Sequence, residues 1–178
     1  MLLDKTNPVQ VPEWAALPNA TQGDGLIYEG APLRYRFDGS EGGFFVGQHP
    51  IGADLAMQVL TVEWRQGERF GRPNQSWMDV AFVDDHNRVA TISLKKDSAV
   101  NLHFFLTQEL RESGNSAINP MAVRVLLRAT DMESYDGDYN YYTLTTGEWS
   151  FVSEARFKTA KKFWNSKQFQ WLIPGETE

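Results

Sequence analysis

Apolar and polar residues alternate through three runs in the middle of the chain, at residues 56–66, 77–83 and 88–94. A period of two residues is typical of a β-strand with one buried face. Turn-forming residues separate the runs, among them Gly67 and Pro73 in the first connection. The pattern therefore predicts three consecutive strands. The side chains expected on their inner face are Leu60, Val62, Trp64, Met78, Val80, Phe82, Ala90, Ile92 and Leu94.

The apolar spacing changes to about 3.6 residues after the third run, which indicates an amphipathic helix. Asp97 or Ser98 is expected to cap this helix, which runs to about Ser113. Gly114 follows in the position where a left-handed residue commonly ends a helix. The predicted apolar stripe consists of Leu102, Phe105, Leu106 and Leu110.

Alternation resumes after this helix, in runs at 121–129 and 139–145 and in a shorter run at 149–152. Ser153 then stands where it would cap a second helix, over about 154–165. The inward side chains expected in these elements are Val123, Val125, Leu127, Tyr142 and Leu144 on the strands, and Phe157, Ala160 and Trp164 on the helix.

Three strands, a helix and two strands, in that order, are the plan of the small closed barrels called OB-folds, which bind oligonucleotides or oligosaccharides. We therefore predict a mainly β (α+β) fold, a five-stranded OB-like barrel with a helix between strands three and four and a second helix at the C-terminus. An N-terminal hairpin, from 33–37 and 44–46, precedes the barrel. A jelly-roll-type β-sandwich is the alternative, although sandwiches seldom place a long helix between their strands.

Four prolines interrupt any regular element in residues 1–32. This segment is expected to be an extended arm, with Trp14 and Leu17 as candidate anchors, or else a disordered leader. Residues 33–178 are then a single β-barrel domain with its C-terminal helix.

Composition narrows the function classes. The 178 residues contain no cysteine, which excludes disulfides, thiolate catalysis and zinc sites with cysteine ligands. The net charge of −6 argues against coating nucleic acid through bulk charge. The segment 51–130, however, holds nine acidic and nine basic residues, so the sequence is compatible with a local basic groove there. No secretory signal or membrane span is apparent, so we expect a cytoplasmic protein with no membrane partner.

The candidate binding residues follow from the barrel hypothesis. In OB-like barrels the connection between strands one and two helps to hold the ligand. Here that connection contains arginines, which suit phosphates, around a phenylalanine that could stack on a base. An ordinary polar loop is the alternative. The predicted nucleic-acid-binding set is Arg69, Phe70 and Arg72 in this loop, with Arg65, Trp77, Lys95, Arg124 and Arg128 on the outer strand face.

Two other groups of residues give weaker indications of a binding role. The basic C-terminal helix could bind a phosphate backbone or a membrane surface, although a surface helix docked on the barrel explains it better. The acidic loop 131–141 carries Tyr135, Tyr139 and Tyr141 and suggests a surface that faces a protein partner. It lacks the glycine and the final glutamate of a calcium loop.

No catalytic or metal-binding pattern is found, and no cofactor is implied. We therefore predict a non-enzymatic module for single-stranded nucleic acid. The alternative is a protein–protein interaction or assembly module, with which a dimer is compatible, and small-ligand binding or enzymatic activity ranks last.

Overall fold

The computed structural model describes residues 8–12, 15, 32–66, 76–134 and 136–165. Eight strands and three α-helices are found in this part of the chain, with a π-helical turn, Phe105–Glu109, between the first two helices. The elements are β1 Leu33–Asp38, β2 Gly43–Val46, β3 His49–Gly52, β4 Asp54–Gln66, β5 Ser76–Val83, β6 Val89–Lys95, α1 Lys96–Phe104, α2 Leu110–Ser113, β7 Val123–Glu133, β8 Asn140–Phe151 and α3 Glu154–Asn165.

The strands form one mixed sheet in the order β3-β2-β1-β6-β5-β4-β7-β8, which curls into a half-barrel. The mainly β prediction is confirmed. The five-stranded barrel is not, because β6 pairs in parallel with β1 and no pairing of β6 with β8 is found among the described strands. The expected N-terminal hairpin is thus part of the sheet. One mixed sheet also differs from the two antiparallel sheets of a jelly roll.

The inner face of the sheet carries most of the apolar core. The predicted stripe of the first helical segment is buried there, as are the predicted inner residues of β5, β6 and β7. On β4, the predicted inner residue Leu60 lies on the opposite face. A bulge between Val59 and Thr61 shifts the alternation of β4, so Leu60 joins Ala81 and Val83 on the outer face, while Val62 and Trp64 keep the inner side.

Helix α3 covers part of that outer face. Phe157, Ala160 and Phe163 are buried against the outer-face residues of β4, β5 and β6. Ser153 begins the helix as expected, since its Oγ accepts a hydrogen bond from the Arg156 amide at 3.1 Å. None of the described helices is long and apolar enough to cross a membrane.

Helix α1 follows β6 directly and lies against the edge of β8 that does not pair with β7. The Leu144 amide donates to Ser98 Oγ at 2.9 Å, and Asn101 Nδ2 donates to the Leu144 carbonyl at 2.9 Å. The Tyr142 amide donates to the Gly39 carbonyl at 2.8 Å. Side chains of α1 therefore satisfy the backbone groups that a neighbouring strand would otherwise pair.

Two details of this helical segment differ from the sequence-based expectation. The helix begins at Lys96, and Ser98 bonds to β8 instead of capping. Gly114 is extended, with φ −107°, and is not left-handed. The N-terminal arm accounts for the extended backbone, because Val9 pairs with Gly114. The close approach of the arm also requires glycine here, since a Cβ would overlap the Val11 side chain. Trp14 and Leu17 lie outside the described residues.

Candidate nucleic-acid interface

Three of the predicted binding residues form one row across the outer face of the sheet. Arg65 of β4 lies opposite Trp77 of β5, and Trp77 lies opposite Lys95 of β6. Lys95 Nζ is 5.0 Å from the centre of the Trp77 ring, within the range of a cation–π interaction. The row lies near the end of β4, at the start of β5 and at the end of β6. A cation thus stands on each side of a partly exposed aromatic ring.

The neighbouring row fixes the position of Arg65. Arg65 Nε lies 3.1 Å from Asp79 Oδ2, and its Nη2 lies 3.2 Å from Glu63 Oε2. Asp79 is buried and also accepts a hydrogen bond from the Ser93 hydroxyl. A buried carboxylate requires such partners, because burial without them disfavours its charge. Arg65 is therefore held in place, and its charge is locally balanced by two acids.

Arg124 and Arg128 are not part of this row. Both belong to β7, which pairs with the beginning of β4, whereas Arg65 is near its end. The last β4 residue that pairs with β7 is Met57. It lies about 26 Å from Arg65 along β4, at the usual rise of an extended strand.

The two β7 arginines are also engaged by acids. Arg124 donates to both carboxylate oxygens of Asp85, at 2.9 and 2.7 Å, and this hydrogen bonding holds the pKa of Asp85 below its usual value. Arg128 Nε lies 3.2 Å from Asp54 Oδ1. Neither arginine adds its charge to the row.

The remaining predicted residues, Arg69, Phe70 and Arg72, lie outside the described part of the chain. Along the sequence they follow Arg65 and precede Trp77. Their role in binding stays a prediction.

An aromatic surface that the sequence reasoning missed lies on the inner face, at the same end of the sheet. Trp64 is 43% exposed, and its ring meets the His103 ring edge-on, with centroids 5.5 Å apart. Phe104, the next residue of α1, is 50% exposed. The alternation assigned Trp64 to the core, and it could not show that the core ends before this position.

A buried polar network lies at the turn between β5 and β6. Asp84 accepts hydrogen bonds from Tyr35 Oη at 2.9 Å and from Arg88 Nε at 3.0 Å. Arg156 Nη2 donates to the Asp84 carbonyl, and its Nε donates to Gln58 Oε1, both at 2.9 Å. The network joins α3 to the sheet.

Burial governs the ionisation of two of these groups. It raises the pKa of Tyr35 to about 12, with help from the hydrogen bond to Asp84. It also lowers the pKa of Arg156. The partners in this network satisfy one another, so we assign it a structural role.

The acidic loop predicted to face a partner is the tip of the β7–β8 hairpin. Tyr139 is 64% exposed and its ring centre lies 6.2 Å from that of Tyr141, which is paired with Met132. Tyr135 lies outside the described residues. Within the described segments, no group of three or more potential metal ligands is found.

Comparison with protein-family models, with curated proteins and with solved structures finds no match to this chain. Its own residues therefore carry the functional argument.

Proposed function

We propose that this chain binds single-stranded nucleic acid on the outer face of β4, β5 and β6. The row Arg65–Trp77–Lys95 carries the proposal. An aromatic ring face accepts any unpaired base, and flanking cations attract the phosphates on either side of it. The binding is non-enzymatic and needs no cofactor.

Strand order supports an OB-like origin for this surface. Strands one to five of the predicted barrel correspond to β4, β5, β6, β7 and β8. In the sheet these strands have the order β6-β5-β4-β7-β8, which results when an OB barrel is opened between its third and fifth strands. The row then lies on the face of the second and third strands, where such barrels bind oligonucleotides. The segment 67–75 corresponds to the connection that flanks this face.

Charge limits the affinity. Arg65 is balanced by Glu63 and Asp79, and the whole chain carries −6. We expect two to five phosphate contacts, with the loop arginines included. For single strands this gives a slope of log K against log salt of about −1.4 to −3.5. Binding should therefore be measurable at low salt and weak at physiological salt.

The test is fluorescence anisotropy with labelled single-stranded DNA and RNA of about 12 nucleotides, a length within the range of one OB-fold site. Trp77→Ala should weaken binding about 5- to 100-fold, and Trp77→Phe should retain most of it. Lys95→Gln should make the slope of log K against log salt shallower by about 0.7.

Arg111→Gln is the matched control, because Arg111 is an exposed cation on α2 and is not part of the row, so its loss should leave binding unchanged. Thermal melts of each variant show that the fold is kept. If the wild-type protein binds no single strand at low salt up to about 100 µM, the weak end of non-specific affinities, the proposal is wrong.

A protein partner at the tip of the β7–β8 hairpin is the second candidate. The exposed Tyr139 and Met132 stand among Asp131, Glu133 and Asp138. Exposed tyrosines among acids suit a partner with a basic surface. Light scattering with and without oligonucleotide separates nucleic-acid binding from self-assembly, since a stable dimer that ignores nucleic acid would favour assembly.

A further inference from the structure

Three of the six exposed large apolar side chains among the described residues belong to α1 and to the end of β4. Val100 and Phe104 are exposed one helical turn apart on α1, and His103 on the same helix contacts Trp64 of β4. Contiguous exposed apolar surface on a soluble domain commonly marks an interaction site.

This surface lies at the same end of the sheet as the row on the outer face. Trp64 and Arg65 are consecutive residues whose side chains point to opposite faces of β4, and Trp64 lies opposite Met78, next to Trp77. Both surfaces therefore lie at the same end of the sheet. Each contributes an exposed or partly exposed aromatic ring to it.

Cations stand between the two surfaces. Lys95 ends β6 and belongs to the outer row, and the exposed Lys96 begins α1, which carries His103 and Phe104. Lys96 has φ +53°, a conformation that L-residues seldom adopt, and it turns the chain sharply from strand to helix. Asp97 is the acidic neighbour in the first turn of α1, so the local balance of these three residues is positive by one charge.

We propose that a bound single strand passes over this end of the sheet and stacks a second base on the surface formed by Trp64, His103 and Phe104. This inference rests on the proposed function and extends it. Aromatic rings suit a base, and Lys96 supplies a cation for the phosphate between the two stacking surfaces. The placement at the same sheet end as the outer row, with Lys95 and Lys96 beside it, favours a nucleic-acid strand over a purely apolar partner.

Strand length tests the inference. We compare wild type, Trp64→Ala and Phe104→Ser with single strands of about 3 and about 12 nucleotides. Loss of the second surface should weaken binding of the longer strand about 5- to 100-fold and leave the shorter one little changed. Ile51→Ser is the matched control, because Ile51 is equally exposed but lies on β3.

Lys96→Gly tests whether the bound strand passes Lys96, and we expect the variant to fold. Glycine adopts φ +53° more readily than lysine, so stability should be kept or raised while the charge is lost. For the longer strand, the slope of log K against log salt should become shallower by about 0.7.

The outcomes separate this inference from the proposed function. If wild type binds no single strand, the proposed function fails and the inference with it. If Trp77→Ala weakens binding but Trp64→Ala, Phe104→Ser and Lys96→Gly bind the longer strand as wild type does, only the second surface is wrong. If Phe104→Ser instead converts a dimer into a monomer with binding unchanged, the surface is an interface between copies of the chain and the inference is overturned.

Discussion

Replacement of Ser98 by alanine should reveal how much the contact between α1 and β8 stabilises the half-barrel. The Ser98 hydroxyl is 3.1 Å from Thr143 Oγ1 and accepts the Leu144 amide hydrogen at 2.9 Å. Ser98 and Thr143 are both buried. The substitution removes one oxygen, creates little empty volume and leaves the Leu144 amide without this acceptor.

The expected loss follows from the cost of an unsatisfied buried group. A buried donor that loses its acceptor costs about 1–3 kcal/mol, so we expect the free energy of unfolding of Ser98→Ala to fall by about 2 kcal/mol. For a domain of this size such a loss lowers the Tm by about 4–8 °C.

Urea and thermal unfolding measure the change, and amide hydrogen exchange locates it. The Leu144 amide should exchange faster in Ser98→Ala. Ser150→Ala is the control, because Ser150 is exposed on the same strand, and its effect should stay within about 0.5 kcal/mol. Equal stabilities of the two variants, with Leu144 still protected, would refute the idea that this hydroxyl replaces a strand partner.

Two further predictions concern other parts of the fold. At pH 8, Tyr35→Phe should be less stable than wild type by about 1–2 kcal/mol, since it loses a hydrogen bond to Asp84. The pKa of Tyr35 is raised to about 12 in the fold, so its contribution is complete below about pH 10 and is lost as pH rises towards 12. Urea titrations of both proteins across that range should show the gap closing, and a constant gap would contradict it. Gly114→Ala should cost about 1–3 kcal/mol because the new methyl group overlaps Val11. Val11→Ala in the same chain should recover part of this loss, and strict additivity in a double-mutant cycle would argue against the contact.

Local signals in the sequence were sufficient for the extent of both helical segments, but not for the start and end of the first one. The cap at Ser153 and the apolar spacing after it predicted a helix over 154–165, and the structure has α3 at Glu154–Asn165. Pairing between distant segments was not readable in this way. Nothing in residues 33–37 indicates a parallel partner more than 50 residues later, and a bulge that moves Leu60 to the opposite face leaves no mark in the alternation.

The same distinction holds for the candidate interface. Alternation was enough to place Arg65, Trp77 and Lys95 on the outer face, and the antiparallel register then aligned them. The acids that engage Arg124 and Arg128 come from other strands and turns, so their proximity depended on the sheet order. The exposure of Trp64 depended on where the core stops, which is a property of the assembled sheet.

Strand β3 has a consequence for how this protein behaves at high concentration. Among the described strands it forms one edge of the sheet, and its four residues are all exposed to solvent. Unpaired strand margins are templates on which other chains can aggregate. Pro50 has no amide hydrogen, and so short a strand offers few donors to an incoming chain. We therefore expect proline at this position to oppose fibrous self-association and Pro50→Val to favour it.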